Sequence, residues 1–323
     1  MPDSRADSLL AWRRAQPRPP RLVRRDVTAR GLTFATWYTP ETPENRVAPV
    51  LCCVNGGLLF DHRLLWPALA PLAATRRLAF YDQRGRGRSQ APPGLRAARI
   101  EHDALDLPAL RVALGHDEWD LLGHSWGGGI AMLATAADRD AVRRLVLVDP
   151  VGTRADDWLP QLTDRALARL DPAQQAALRD VHERTRPGAP TAADPDALAD
   201  YAQAIYPAWF ADPAVAALFT APRATSPTGA VVSARLRAEG YDWREKVTGL
   251  GRATLLVHGE RDLIPVEVAR ETARLLGSAT TRLHLVADAG HNPFWEAPSI
   301  VFPLIERFLS VADPLAHEGG VHA

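Results

Sequence analysis

The sequence predicts an α/β chain: a mostly parallel sheet with helices on both faces, interrupted by a helical insertion. Three observations carry that expectation. Short, continuous apolar runs such as PVLCCVN (49–55), RRLAFYD (76–82), VRRLVLVDP (142–150) and RATLLVHGE (252–260) have the length and residue types of buried parallel strands. Segments with helical spacing alternate with them, which is the signature of βαβ units. Between Val151 and Thr248 the alternation stops, and the chain shows helical pieces, repeated Asp-Pro breaks and little sign of strands.

In chain order, residues 1–20 are rich in Arg and Pro and are expected to form a loose arm. RLVRRDVTARG (21–31) and LTFATWYTP (32–40) read as a hairpin-like pair of strands, followed by a polar, proline-rich loop to residue 49. WPALAPLAA (66–74) suggests a helix, and IEHDALDLPALRVALG (100–115) another that stops at Gly115 despite Pro108. DEWDLLGHS (117–125) is a strand and GGGIAMLATAA (127–137) a helix. The insertion holds helical pieces at 162–170, 172–185 and 196–210. The α/β pattern then resumes with a helix at 265–277, a strand within 281–290 and a last helix at 299–310. The expected organisation is an arm (1–20), a catalytic core (21–150 and 249–312), a cap insertion (151–248) and a flexible tail (313–323). The cap would sit over the carboxyl edge of the sheet, where open α/β folds bind ligands.

Composition narrows the function classes. The 323 residues are 46 % hydrophobic and 24 % charged, with a formal net charge of zero. Nothing there favours nucleic acid or an acidic membrane surface as a partner. Arginine supplies the positive charge, with Lys246 as the lone lysine. The two cysteines, Cys52 and Cys53, are adjacent in a strand-like run and do not make a disulfide framework. No run approaches the roughly 20 apolar residues of a membrane helix, and SLLAW near the N-terminus is too short for a signal-peptide core. A cytoplasmic protein is expected.

The chemistry centres on LLGHSWGGGI (121–130), where one serine stands between glycines at the end of a strand. Strand, sharp turn and helix together make a nucleophile elbow: the serine takes a strained conformation and its hydroxyl stands clear of the sheet. Ser125 needs a base and an orienting acid to act as a nucleophile. His291 follows a predicted strand in VADAGHNPFWEAP and is the expected base. Asp262, in LLVHGERDLIP, is the preferred acid over Asp149, Glu260 and Asp288, with Asp149 the main rival. An oxyanion would be held by the amide of Trp126 and by that of Gly57 or Leu58, with Gly57 preferred. His124 is expected to pack locally. No metal is expected, because no HExxH or comparable ligand spacing occurs, and no cofactor is expected.

These motifs resemble the α/β-hydrolase superfamily and, within it, the prolyl aminopeptidase-like serine hydrolases. The resemblance rests on NGG (55–57), YDQRGRGRS (81–89), GHSWGG (123–128), GERD (259–262) and AGHNPFWEAP (289–298). It implies that the turn with Asp82, Arg84 and Gly85 buttresses the oxyanion loop. Where the family has His-Gly-Gly-Pro, this chain has Asn55-Gly56-Gly57-Leu58. The family's acidic motifs for a substrate's free amino terminus have no clear match in the cap, leaving Glu183, Glu239 and Glu245 as candidates. Trp158, Tyr206, Trp209, Phe210 and Trp243 are candidate pocket linings. The expected activity is hydrolysis of a small-molecule or short-peptide amide or ester through an acyl-enzyme. The alternatives are an esterase, lactonase or tailoring thioesterase, or a slow-turnover small-molecule receptor.

Overall fold

A computed structural model describes residues 4–46, 48–220 and 222–310. The sheet has eight strands: β1 (Val23–Ala29), β2 (Leu32–Tyr38), β3 (Leu51–Val54), β4 (Leu78–Tyr81), β5 (Trp119–His124), β6 (Val142–Val148), β7 (Ala253–Gly259) and β8 (Thr281–Val286). Their order is β1-β2-β4-β3-β5-β6-β7-β8. β1 and β2 form an antiparallel hairpin and β2 joins β4 antiparallel; every other pairing is parallel. After β3 the chain first adds β4 on one side and then crosses to β5 on the other. The crevice beyond the carboxyl ends of β3 and β5 is therefore a topological switch point, the usual ligand position in such sheets.

Period-two side-chain alternation buries both faces. Cys52, Val54, Leu121, Leu145, Leu147 and Leu256 belong to one apolar cluster; Leu51, Cys53, Leu122, Val146, Val148, Leu255 and Val257 belong to another. Helices α2 (Ile100–Leu114), α3 (Trp126–Ala137) and α10 (Val266–Leu276) cover the first face, and α12 (Pro298–Ser310) covers the second. The short α11 (Pro293–Glu296) precedes α12. The expected helix at 66–74 is instead short 3₁₀ turns at His62–Leu64 and Ala70–Ala74. Pro67 and Pro71 supply no amide for a helical ladder, so the segment tightens into isolated turns.

The described residues of 151–248 contribute no strand to the sheet. They carry α4 (Leu162–Leu167), α5 (Pro172–Thr185), α6 (Pro195–Ile205), α7 (Pro213–Ala216), α8 (Pro227–Glu239) and α9 (Arg244–Val247). Asp or Ser caps start four of these helices, with Asp171, Asp194, Asp212 and Ser226 each accepting a first-turn amide. The neck of the insertion is closed by a bridge between Arg154 and Asp242, flanked by bonds from Ala155 N to Tyr241 O (2.9 Å) and Trp243 N to Thr153 O (2.8 Å).

The expected loose arm is replaced by a helix, α1 (Arg5–Ala15). Ser4 and Asp7 form a reciprocal capping box, a signal present in the sequence as S-x-x-D ahead of Leu9 and Leu10. Leu9 is buried with Phe210 and Val215, and the Arg13 guanidinium lies 3.9 Å from the Trp295 ring and 4.2 Å from that of Phe219. The expected flexible tail, 313–323, lies outside the described residues. Among the described residues, no helix is long and apolar enough to cross a membrane.

Candidate active site

β5 ends at His124 and α3 begins at Trp126, leaving Ser125 alone in the turn at φ 56° and ψ −124°. A left-handed conformation costs a residue with a Cβ about 1–3 kcal/mol, so the surroundings must hold it. Ser125 N donates to Val148 O (3.1 Å), and its carbonyl accepts from Gly128 N (2.9 Å) and Val151 N (3.1 Å). The closeness of α3 to β3 explains the glycines: a Cβ on Gly127 would lie 2.0 Å from the carbonyl oxygen of Val54. Trp126 is the first residue of α3, so its N–H has no partner within the helix and sits at the positive end of the helix dipole.

The loop after β3 passes against this turn. A Cβ on Gly56 would lie 2.7 Å from Ser125 Cβ and 3.1 Å from Trp126 N, so only glycine lets the two backbones meet. Gly57 follows with φ 74° and lines the same cavity as Ser125 and Trp126. The YDQRGRGRS segment braces this loop through Asp82, and through Gln83 and Arg86, which the resemblance did not single out. Gln83 Nε2 donates to Asn55 O (2.8 Å) and Arg86 Nε to Leu58 O (2.8 Å). Arg86 is fully buried and forks onto Asp103 at 2.9 and 3.1 Å. Asp82 ties down His62 (2.7 Å to Nδ1) and the amide of Arg88 (2.9 Å), while Arg84 pairs with Asp106. Asn55 Nδ2 bonds to the carbonyls of Gly56 (3.1 Å) and Phe60 (3.2 Å), closing the loop on itself.

His291 enters the site on the loop after β8 and lines the same cavity as Ser125. Its Nδ1 is 2.8 Å from Asp262 Oδ2, and its own amide donates to Trp209 O in the insertion (2.7 Å). Burial works against the charge on Asp262, but attraction and hydrogen bonding from His291, with smaller help from His258 and the amide of Ile264, bring its pKa below the ordinary value. Asp149, at the end of β6 with φ 42°, behaves oppositely. Burial first, then the neighbouring charge of Asp262, raise its pKa well above the usual carboxyl range. Its Oδ1 accepts from Gly259 N (2.8 Å). Two carboxyls this close do not share ionisation equally. The one bonded to His291 keeps the charge, and Asp149 keeps a proton. His124, 3 % exposed, bonds through Nε2 to His291 O at 2.9 Å and so positions the base loop.

Among the described residues, two groups bring potential metal-ligand atoms within 4.8 Å of one another: Asp61–His62–Asp82 and Asp149–His258–Asp262. Asp82 is bonded to His62 and Asp262 to His291, while Asp149 Oδ2 and His258 Nδ1 have no hydrogen-bond partner among those residues.

The cavity holds about 140 Å³ and lies between the sheet's carboxyl edge and the insertion. Of the aromatic candidates, Trp158, Tyr206 and Trp209 line it. Phe210 does not: it turns the other way and stacks on Phe219, 5.1 Å between ring centres. Trp243 is buried behind the wall, stacked on Tyr241 and seated over Gly129. The three candidate glutamates also lie elsewhere. Glu183 is paired with Arg186 and Glu239 with Arg99, both in solvent, and Glu245 is exposed at the start of α9. All three lie on outward, solvent-facing positions: Glu183 pairs at the end of its own helix, and Glu239 reaches Arg99 across from another element. Sequence reading missed Tyr201, Ser233 and Arg237, which do line the cavity. Nothing local marks them, because α6 and α8 converge only in the folded insertion.

The family model for the alpha/beta hydrolase fold matches residues 49–298. The chain belongs to the α/β-hydrolase fold family. Over 258 residues this α/β-hydrolase is 29 % identical to 2-hydroxymuconate semialdehyde hydrolase of Pseudomonas putida, covering 75 % of this chain and 79 % of that one. It is 26 % identical over 286 residues to proline iminopeptidase of Lactobacillus delbrueckii subsp. lactis, covering 83 % and 93 %. A 90-residue stretch is 41 % identical to N-formylmaleamate deformylase of Pseudomonas putida and spans only 33 % of that protein. A thermophilic esterase structure from Thermogutta terrifontis superposes with a TM-score of 0.59 at 25 % identity, over 89 % of this chain and 98 % of that one. The relatives are hydrolases, and prolyl aminopeptidase-like members stand among them.

Proposed function

We propose that the protein is a serine hydrolase that cleaves a small ester or amide through an acyl-enzyme. The observation that carries this reading is the 2.8 Å bond between His291 Nδ1 and Asp262, with Ser125 held on its strained turn in the same cavity wall. Ser125 Oγ attacks the substrate carbonyl and its proton passes to His291 Nε2. Asp262 holds the imidazole in the tautomer that leaves Nε2 free and stabilises the imidazolium. The amides of Trp126 and Gly57 receive the oxyanion, each such donor contributing roughly 3 kcal/mol in the transition state. His291 then protonates the leaving group, and water, activated by the same imidazole, releases the acid and regenerates Ser125.

Within this chemistry, an aryl or alkyl ester fits better than a peptide with a free amino terminus. Among the described residues lining the cavity none is acidic, and Arg237 would repel an ammonium group. Esterase, lactonase and thioesterase activities use the same residues and differ in what the cap admits. The partner is a small molecule, acting in the cytoplasm, without a cofactor.

A paired assay tests the reading: a short-chain aryl ester against a proline arylamide, each with the wild type and Ser125→Ala. Serine-dependent cleavage of the ester, with the arylamide untouched, is expected. Cleavage of the arylamide would restore the aminopeptidase reading. No cleavage of either, with no fluorophosphonate label on Ser125, would leave a binding protein.

A further inference from the structure

Arg237 lies in the last turn of α8 and lines the cavity opposite the core residues, alongside Ser233 one turn earlier on the same helix face. Apart from the histidines it is the charged side chain of that wall. The cavity it lines is otherwise largely apolar and aromatic, with Leu59, Leu162, Leu198, Ile205 and Tyr201 among its walls, and the Tyr201 ring centre lies 5.7 Å from the guanidinium carbon. Among the described residues, the guanidinium makes one hydrogen bond, a long one from Nη2 to Ala192 O at 3.4 Å, and Nε is buried with no partner. The acidic residues of the neighbouring helices are committed elsewhere, Glu239 to Arg99 and Asp196 and Asp200 to Arg223. Burial lowers the Arg237 pKa, with the Tyr201 hydroxyl a lesser, opposing influence.

A partly desolvated cation without a counter-ion is unfavourable, and a guanidinium edge is shaped for two parallel bonds to a carboxylate. We infer that Arg237 is a specificity-determining subsite for a carboxylate at the far end of the substrate's acyl group. Ser233 supplies a further donor on the same wall. The position of that carboxylate relative to the scissile bond rests on the hydrolase reading above, in which Ser125 lines the same cavity. Size restricts the rest of the acyl group. An apolar cavity of about 150 Å³ takes a benzene-sized ligand, so the site suits a chain of roughly four to six carbons. The substrate class is therefore the monoester or monoamide of a short dicarboxylic acid, whose hydrolysis releases the diacid and a neutral alcohol or amine.

The test compares the p-nitrophenyl monoester of glutaric acid with its counterpart carrying a methyl ester in place of the free carboxylate. The wild type is expected to favour the free acid by tenfold or more in kcat/KM, and Arg237→Met to abolish or reverse that ratio, with Arg237→Lys in between. A ratio within one enzyme preparation is independent of how much of a variant folds. A wild-type ratio near one, or a ratio that survives in Arg237→Met, overturns the inference while leaving the hydrolase reading intact. Binding separates the two further. Ser125→Ala should hold monomethyl glutarate at least tenfold more tightly than dimethyl glutarate, by calorimetry, and the added Arg237→Met change should erase that preference. If neither ester is hydrolysed but this difference appears, the hydrolase reading fails and the carboxylate subsite stands. If the difference is absent, the subsite fails.

Discussion

His124 offers a measurable consequence of how the site is built. Its Nε2 faces the carbonyl of His291, which only accepts, so the ring proton sits on Nε2 and Nδ1 is left bare. That Nδ1 is buried with no partner, and the ring packs edge-on against Phe294 at 5.0 Å. Protonation would place a second N–H in these surroundings. Burial, aided by repulsion from His291, pushes the pKa down from 6.5 to about 3. In the unfolded chain the same ring takes up a proton as pH falls below about 6.5. The unfolded state thus binds more protons between those values. His124's contribution to stability is whole above pH 6.5 and erodes as pH falls, by about 1.4 kcal/mol per unit. At pH 5, about 1.5 units below the unfolded pKa, the loss is roughly 2 kcal/mol. The perturbation is His124→Gln, which keeps a donor for the His291 carbonyl and carries no charge at any pH. Guanidinium chloride unfolding of both proteins at pH 8 and pH 5 gives the comparison. Whatever the substitution costs at pH 8, the wild type should lose about 2 kcal/mol more than the variant on going to pH 5. The buried His258, whose pKa burial also lowers, contributes equally to both proteins and cancels. Parallel pH dependences would refute the reasoning, because His124 would then titrate alike in both states.

Two further outcomes follow from the same geometry. Asp149→Asn replaces a protonated acid with a neutral isostere, so ester hydrolysis at pH 7 should stay within a few-fold of wild type, whereas Asp262→Asn should lower kcat by roughly 10⁴; equal losses in the two would show that both acids carry charge. Glu296 accepts the amides of Gly290 and Ala211, one on each carboxyl oxygen and both at 2.8 Å, so Glu296→Gln turns one acceptor into a donor facing an N–H and should cost about 1–3 kcal/mol in a denaturant titration.

The turn that carries Ser125, proposed as the nucleophile, was legible in the sequence because its constraints are local. An elbow needs small residues within two positions of the serine, and Gly127 is excluded from any other identity by a single carbonyl. The strands were legible for a similar reason, since residues buried on both faces leave continuous apolar runs. Legibility ended where partners come from far along the chain. Arg86 and Gln83 sit in a motif already noticed, yet their contacts with the oxyanion loop are set by 28 residues of separation. The arm was misread because Arg and Pro dominate its composition, while the capping box at Ser4 and Asp7 and the stack of Arg13 on Trp295 decide its structure. In the cap, sequence gave aromatic residues no direction. Trp158 and Trp243 are equally buried, but one faces the cavity and the other its backing.

The insertion is bonded to the very loops that carry His291 and Asp262, which bears on how substrate selection and the proposed chemistry are linked. Trp209 O accepts the amide of His291, Arg169 donates to Asp262 O at 2.9 Å, and Arg165 donates to Leu263 O at 3.1 Å. Ala211 reaches Glu296, whose other oxygen holds Gly290 beside His291. A cap that swung away as a rigid lid would break all of these together and release the His291 and Asp262 loops. On the side of α8 the insertion is tied to the core as well: the Ser226 hydroxyl bonds to Gly85 O at 2.7 Å, Arg235 donates to the carbonyls of Arg96 (3.2 Å) and Ala98 (3.0 Å), Glu239 pairs with Arg99, and Leu59, Leu198 and Ala230 form a small apolar patch. The wall that carries Arg237 and the contacts that hold the His291 and Asp262 loops are separate parts of one insertion. Changes at α8 are expected to act on which substrate is taken, and changes at Trp209–Ala211 on how fast any substrate is turned over.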